Sequence, residues 1–234
     1  MVNHIHPSAL VGDGVELGDG ITIGPGAVVL GPCVVDDDAW IGPGCVIGTP
    51  PEIISIEHNR AWAGELAHAG VHIGAGAVIR ELTTVHQGST RTTSIGAGTW
   101  LLNRVYVAHD SLVGEGVTLS AGVSLGGHVQ IGDKVNVGMN AVVHQRRVIG
   151  AGAMVGMGTP VAKDVPPFAR AYGNPIRLHG VNSVGMSRSG ISEAAIEVLT
   201  SAYDAGQLPA EIPVELGDAF KWWASVDPAK PLVR

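Results

Sequence analysis

Aromatic side chains are scarce in this chain: they make up 4% of its 234 residues, with only two Phe and three Tyr. An ordinary mixed core relies on more large rings, so the interior has to be filled by smaller groups. Charge is thin as well, at 15%, while apolar residues reach 45%. Disorder requires the opposite balance and is excluded. Basic residues are outnumbered, 14 Lys and Arg against 21 Asp and Glu, for a net charge of -7, which leaves no electrostatic footprint for nucleic acid. No apolar run approaches the ~20 residues needed to span a bilayer. Met1-Val2-Asn3-His4 lacks the charged and apolar regions of a secretory signal. Cysteine is limited to Cys33 and Cys45, without CxxC spacing. That excludes a zinc framework or disulfide scaffold and points to reduced thiols in a cytoplasmic protein. Glycine, by contrast, is abundant: 34 residues, about twice the usual share and without the every-third spacing of collagen.

The abundance is organised. Aliphatic residues recur every six positions at Ile5, Val11, Leu17, Ile23, Val29, Val35, Ile41 and Ile47. The phase breaks over 49–72, resumes at Ile73, Ile79 and Val85, and slips again before Ile95. From Ile95 it holds through Leu101, Val107, Val113, Leu119, Leu125, Ile131, Val137, Val143, Ile149, Val155 and Val161. A period of six matches neither a helix at 3.6 nor a simple strand at 2. It matches a short strand, a turn and a repeat of both, with one aliphatic side chain per hexad aimed at a common axis. Three such faces make an 18-residue coil, and coils stacked at the ~4.8 Å strand spacing build a triangular prism. The expected fold is therefore all-β, a parallel β-helix over residues 1–167 with an inserted loop at about 49–72. Residues 168–234 read as an irregular connector and a small helical extension. Val165-Pro166-Pro167 closes the repeat, because Pro cannot donate to a ladder. Ser192 is placed to N-cap a helix with Ile196, Leu199 and Tyr203 on one stripe, and a second short helix is expected over about 215–225.

Stacking residues 18 apart aligns His109, Gly127 and Gln145 in one column, and Asp110, His128 and Arg146 in the next. Ala108, Gly126 and His144 form the column on the other side. His109, His128 and His144 thus share one face on three successive coils, interrupted by bare glycines where a ligand can approach the backbone. Three chemistries are open to such a patch: solvated surface histidines, a metal site, or acid–base catalysis. A zinc site built on a close His pair has only His68 and His72 to draw on; they are spaced H-x3-H, off the regular coils, and no metal is expected. His109 suits a general base at neutral pH, given a group to fix its tautomer. Asp110 is next to it; on a strand it faces the other way, at a turn it can swing round.

At these residues the sequence resembles the acyl-ACP–UDP-N-acetylglucosamine O-acyltransferases of lipid A synthesis. The resemblance is carried by Ile5-His6-Pro7-Ser8-Ala9, Thr84-Val85-His86-Gln87-Gly88-Ser89-Thr90 and Val107-Ala108-His109-Asp110. It continues through Leu125-Gly126-Gly127-His128-Val129, Ala141-Val142-Val143-His144-Gln145, Ala162-Lys163-Asp164-Val165-Pro166-Pro167, Gly173-Asn174 and Gly180-Val181-Asn182. It implies a left-handed β-helix, a homotrimer with clefts between subunits, and His109 as general base oriented by Asp110. It also implies that the Gly127 amide stabilises an oxyanion, with His128, His144 and Gln145 lining the cleft and Asn182 and Arg188 touching the nucleotide sugar. Met157 falls where long-chain members carry Gly, which implies a shorter acyl chain, on the order of ten carbons. No cofactor is expected to stay bound; the co-substrate is an acyl-ACP or acyl-CoA thioester.

Several positions depart from the family pattern. Tyr106 stands where the family has His, and the nucleotide-loop Lys has no counterpart in Glu57-His58-Asn59-Arg60-Ala61-Trp62. Val184 and Ser189 replace a Glu and an Arg. The C-terminal helix carries Glu193, Glu197 and Asp204 where basic residues would dock an acidic carrier protein, and Arg146 and Arg147 are candidates to hold a phosphopantetheine phosphate instead. The expected function is acyl transfer from a thioester to a hydroxyl of a sugar nucleotide or related acceptor. An N-acyltransferase acting on an amino sugar and a non-catalytic trimeric scaffold stay open beside it.

Overall fold

The computed structural model describes residues 2–58 and 66–232. Short strands, mostly of two or three residues, alternate with turns and assemble into three sheets of ten, eight and seven strands. Each strand pairs in parallel with the equivalent strand of the next coil, as Trp100↔Thr118, Tyr106↔Ser124 and Leu112↔Gln130 show for the first, second and third faces. In the uninterrupted run the register advances by 18 residues per coil, as the hexads require. The result is a left-handed triangular prism.

Within each hexad the periodic aliphatic residue and the residue two before it both point inward, and the residue between them points out. Ile23, Ile41, Ile79, Leu101, Leu119, Val137 and Val155 form one such buried stack. Ala27, Cys45, Val105, Val123 and Ala141 fill inward positions two before the next aliphatic residue. The narrow interior explains the shortage of rings. Burying each Val, Ile or Leu is worth about 1.5–3 kcal/mol. Ile5, on the first coil, remains 42% exposed because no coil covers its outer side.

The corners follow one rule. From Ile95 to Val143 the third residue after each inward aliphatic adopts a left-handed conformation, at Gly98, Arg104, Asp110, Gly116, Gly122, His128, Lys134, Asn140 and Arg146, all with φ between 56° and 73°. The uninterrupted run repeats it at every corner, so the positive φ at Asp110 and His128 belongs to the fold and is not a strain confined to one site.

The ladder does not stop at Pro167. Ala169–Tyr172 pairs in parallel with Met154–Val155 on the first face, and Arg177–Val181 returns antiparallel to it as the edge strand. The two prolines end only the six-residue phase; past them the chain rejoins the sheet with Ala169 and Ala171 facing inward. Three helices follow: α1 (Ser183–Arg188), α2 (Glu193–Asp204) and α3 (Gly217–Ser225). Ser192 caps α2, its side chain accepting from the Ala195 amide at 3.3 Å. Leu199 and Tyr203 are buried, and the Tyr203 hydroxyl donates to the Pro167 carbonyl at 2.5 Å, tying α2 to the end of the prism. Phe220 and Trp223 of α3 are buried. Helix α1 has no counterpart in the sequence expectations.

Candidate active site

The corner between the second and third faces brings the histidines together. The His128 amide donates to the His109 carbonyl at 3.0 Å and the Arg146 amide to the Gly127 carbonyl at 2.9 Å, which locks the columns one coil apart. The left-handed φ of Asp110 (60°) swings its side chain back toward its neighbour. His109 Nδ1 and Asp110 Oδ2 lie 2.6 Å apart. With Nδ1–H donating to that carboxylate, the imidazole lone pair falls on Nε2.

Asp110 is fully buried, in a cradle made by the short segment 87–92. The amide and hydroxyl of Ser89 donate to it at 3.1 and 2.6 Å, and those of Thr90 at 2.8 and 2.9 Å. The Arg91 amide donates at 2.8 Å, while its Nε reaches the Asp110 carbonyl at 2.7 Å. Burial alone would raise the carboxyl pKa. Donation from Ser89, His109 and the Arg91 and Thr90 amides overrides it and holds the group well below the usual carboxylate range. The cradle accounts for the slip in phase between Val85 and Ile95: the extra residues there are its donors.

His128 packs edge-on against His109, with ring centroids 5.1 Å apart, and its Nε2 stands 3.7 Å from Asp110 Oδ2. Burial lowers its pKa; the Asp110 charge pulls the other way, and Arg146, His109 and Arg91 reinforce the lowering. His109, Asp110 and His128 hold ligand-type atoms within 4.8 Å of one another. The 2.6 Å between His109 Nδ1 and Asp110 Oδ2 is a hydrogen-bond separation; two ligands on one tetrahedral zinc would stand about 3.3 Å apart.

Gly127 completes the arrangement. A Cβ there would lie 2.6 Å from His109 Nε2, so the bare glycine leaves open the face on which the lone pair emerges. Gly127 itself is buried, with the His109 ring beside it. At the matching corner positions Asp19 and Glu115, the amide is taken by the carboxylate of the residue 18 further on, Asp37 or Asp133. Eighteen residues beyond Gly127 stands Gln145, and among the described residues the Gly127 amide has no acceptor. Gly127→Ala is therefore expected to lower kcat/KM by about 100-fold or more with little change in melting temperature, because the added methyl meets only the movable ring of His109. Steady-state kinetics beside a thermal melt checks this, and an unchanged kcat/KM would remove Gly127 from the site.

Glu52 joins the site although no sequence signal marked it, since it lies in the segment outside the repeat. Its Oε1 accepts from the His109 amide at 3.4 Å and its Oε2 is 3.7 Å from His86 Nδ1. Burial, and then the neighbouring Glu52 carboxylate, push the Tyr106 phenol up. His86 and Tyr106 meet edge-on at 5.4 Å. Residues 59–65, including Asn59, Arg60, Ala61 and Trp62 of the loop, lie outside the described residues.

The remaining expected residues fall in three places. His144, Gln145 and Arg146 occupy the His109 corner two coils on and are exposed, with His144 Nδ1 3.0 Å from the Gln145 carbonyl. Met157 sits on the corner between the first and second faces, 73% exposed. Asn182 lies by the corner between the third and first faces, where its side chain caps α1 through the Gly185 amide and donates to the Gly152 carbonyl at 3.0 Å. Arg188 ends α1. On one chain, neither Met157 nor the Asn182–Arg188 pair shares a corner with His109. Arg147 corrects an expectation: it occupies an inward position two before Ile149, is buried, and binds Asp164 at 3.0 and 3.1 Å. It cannot offer its charge to a phosphate. A cavity of about 420 Å³ lies away from the base, between the third face and α1 and α3, lined by Phe168, Asn182, Ile191, Asp218 and Trp222.

Curated relatives resemble the chain over most of its length. A protein of Thermodesulfovibrio yellowstonii described as acyl-[acyl-carrier-protein]–UDP-N-acetylglucosamine O-acyltransferase is 39% identical over 202 residues, which is 85% of this chain and 75% of the relative. One of Sulfurihydrogenibium with the same description is 43% identical, covering 85% and 78%. The chain belongs to this acyltransferase family. The family profile described as "Udp N-acetylglucosamine O-acyltransferase; Domain 2" matches residues 164–205 of the acyltransferase, the stretch that carries Ala169–Tyr172, α1 and α2. Among solved structures, the UDP-N-acetylglucosamine acyltransferase from Campylobacter jejuni superposes with a TM-score of 0.73 at 27% identity, covering 86% of this chain and 81% of its own. The corresponding O-acyltransferase of Moraxella catarrhalis gives 0.67 at 27%, over 99% and 98%. No described helix of the acyltransferase is long and apolar enough to cross a membrane.

Proposed function

We propose that this acyltransferase moves an acyl group from a carrier-protein or CoA thioester to a hydroxyl of a sugar nucleotide of the UDP-N-acetylglucosamine type, with His109 as general base. One observation carries the reading: the lone pair of an oriented imidazole emerges over a bare glycine whose amide is free. His109 Nε2 takes the hydroxyl proton as the oxygen attacks the thioester carbon. The Gly127 amide donates to the oxyanion that forms, and Asp110 stabilises the imidazolium. Collapse breaks the C–S bond, and the Nε2 proton passes to the departing thiolate. His128, His144 and Gln145 line the cleft. Met157, Asn182 and Arg188 lie on other corners, so they reach the base only from a neighbouring copy, which supports a homotrimer with each cleft between two subunits. The co-substrates are water-soluble and Cys33 and Cys45 are free and buried, which suits the cytoplasm.

The exposed acids Glu193, Glu197 and Asp204 of α2 would repel an acidic carrier protein at that helix, so CoA stays beside acyl-ACP as donor. Glu52, with its carboxylate against the His109 amide, favours a second reading in which the acceptor carries an amine. Intact mass of the products from a panel of sugar nucleotides tests transfer. Alkaline hydroxylamine then separates an ester, which it cleaves, from an amide, which it leaves. A wild-type protein that acylates no member of the panel would overturn the proposal.

Met157 is the proposed chain-length limit: a long, flexible side chain standing out from its corner would close the end of an inter-subunit groove. Met157→Gly should raise transfer from a fourteen-carbon donor by about tenfold relative to a ten-carbon donor, an effect of ~1.4 kcal/mol, consistent with burying about two methylenes. Competition between the two donors in one reaction reads that ratio, and an unmoved ratio would discard Met157 as the limit.

A further inference from the structure

Beside the base lies a groove of about 170 Å³ that the proposed chemistry does not use. It is lined by Arg91, His128, Gln130, Arg146 and, across from them, Asp227 just past α3. Its charge is unusual for this molecule. The chain as a whole carries -7, yet two guanidinium groups face this groove, where Arg91 feels the Asp110 carboxylate and then Arg146, and both act on His128. Among the described residues neither of them forms an ion pair with a carboxylate. Arg146 is exposed at its left-handed corner, and among the described residues its side chain forms no hydrogen bond or ion pair. Arg91 is half-buried and anchored through Nε to the Asp110 carbonyl, which leaves the rest of its planar fork directed away from that bond. Asp110 draws on Arg91 but is itself buried among its own donors, so two like charges held together here still favour an anion between them. A guanidinium pair is the arrangement that suits the oxygens of a phosphate, through short charge-assisted hydrogen bonds.

We propose that Arg91 and Arg146, with His128 at their side, form a phosphate-ester subsite adjoining the catalytic base. The identity of the co-substrates rests on the acyl-transfer reading; the anion chemistry rests on the groove. Two phosphates are available in that reaction, the phosphopantetheine arm of the donor and the diphosphate of the acceptor. The subsite takes one of them and so fixes how far its bearer extends from His109. Arg91 gains a double part, since the same residue donates its amide to Asp110 and offers its side chain to the ligand.

Calorimetric titration of wild type, Arg91→Gln, Arg146→Gln and the double variant with 4′-phosphopantetheine, pantetheine and UDP tests this. If the donor's phosphate binds here, the preference for 4′-phosphopantetheine over pantetheine falls at least tenfold in each single variant, and further in the double. If the acceptor's phosphate binds here, affinity for UDP falls instead. The KM of the matching co-substrate should rise by a similar factor, while Lys134→Gln, remote from the groove, moves neither. Unchanged affinity for both phosphate esters in Arg146→Gln, which removes no internal contact, overturns the proposal even if Arg91→Gln fails to fold. Binding is read without turnover, so a wild-type protein that binds these esters but transfers no acyl group would sink the acyl-transfer reading and leave the subsite standing.

Discussion

Replacing His109 by Ala is expected to lower turnover by about 10²–10⁴-fold, the contribution of a positioned general base, while the protein keeps its fold and assembly. The side chain is partly exposed and its one strong internal partner is Asp110, at 2.6 Å. Its loss opens space at a corner and not in the prism core, so the melting temperature should move by only a few degrees. The residual rate then reports what the Gly127 amide and substrate positioning supply by themselves. Product mass over an extended incubation, with a thermal melt on the same sample, is the measurement. Full activity in His109→Ala would leave the site without a base and return the non-catalytic scaffold as the better account of the fold.

Asp110→Asn should produce the second large effect, on activity and stability together. The carboxylate is buried and gathers donors from Ser89, Thr90, Arg91 and His109. An amide offers one oxygen to that ring of donors and turns an NH2 group against some of them. Donors left buried without acceptors cost about 1–3 kcal/mol each at most, and a net loss of about 3 kcal/mol corresponds to a drop of about 6–12 °C for a chain of this size. Activity should fall by on the order of 10³-fold, because the amide no longer holds the His109 tautomer. The pH dependence gives an independent sign. The folded carboxyl is held below its unfolded value of ~3.9, so its contribution to stability is complete above about pH 4 and fades as pH falls beneath it. Melting curves from pH 3 to 7 should therefore show a steeper acid decline in wild type than in Asp110→Asn. Parallel declines would mean that the cradle does not stabilise the ionised form.

The six-residue period carried most of the fold, because a narrow interior accepts only small aliphatic side chains at fixed intervals. It also held more than the aliphatic positions. Arg147 stands two before Ile149, at an inward position, and its pairing with Asp164 follows from that phase. The columns through His109 and Asp110 were legible because the coil length is constant over that run. What escaped was the material outside the period. Glu52 reaches His109 from a segment with no repeat, and segment 87–92 showed only as a slip, although it builds the Asp110 cradle. Ala169–Tyr172 escaped for a related reason: sheet pairing outlasts the hexads once the prolines have broken them. Asn182 also has a part that the period does not show: its side chain caps α1.

The way segment 87–92 joins the prism has an evolutionary consequence. It departs after His86 and returns at Thr93, which pairs with Val71 as though nothing intervened. Lengthening such an excursion is cheap, since each doubling of a loop costs only about 0.6 kcal/mol. The cradle that holds Asp110 is thus an excursion from a trunk that carries the base itself, and exchanging it between relatives should retune the imidazole without redesigning the trunk.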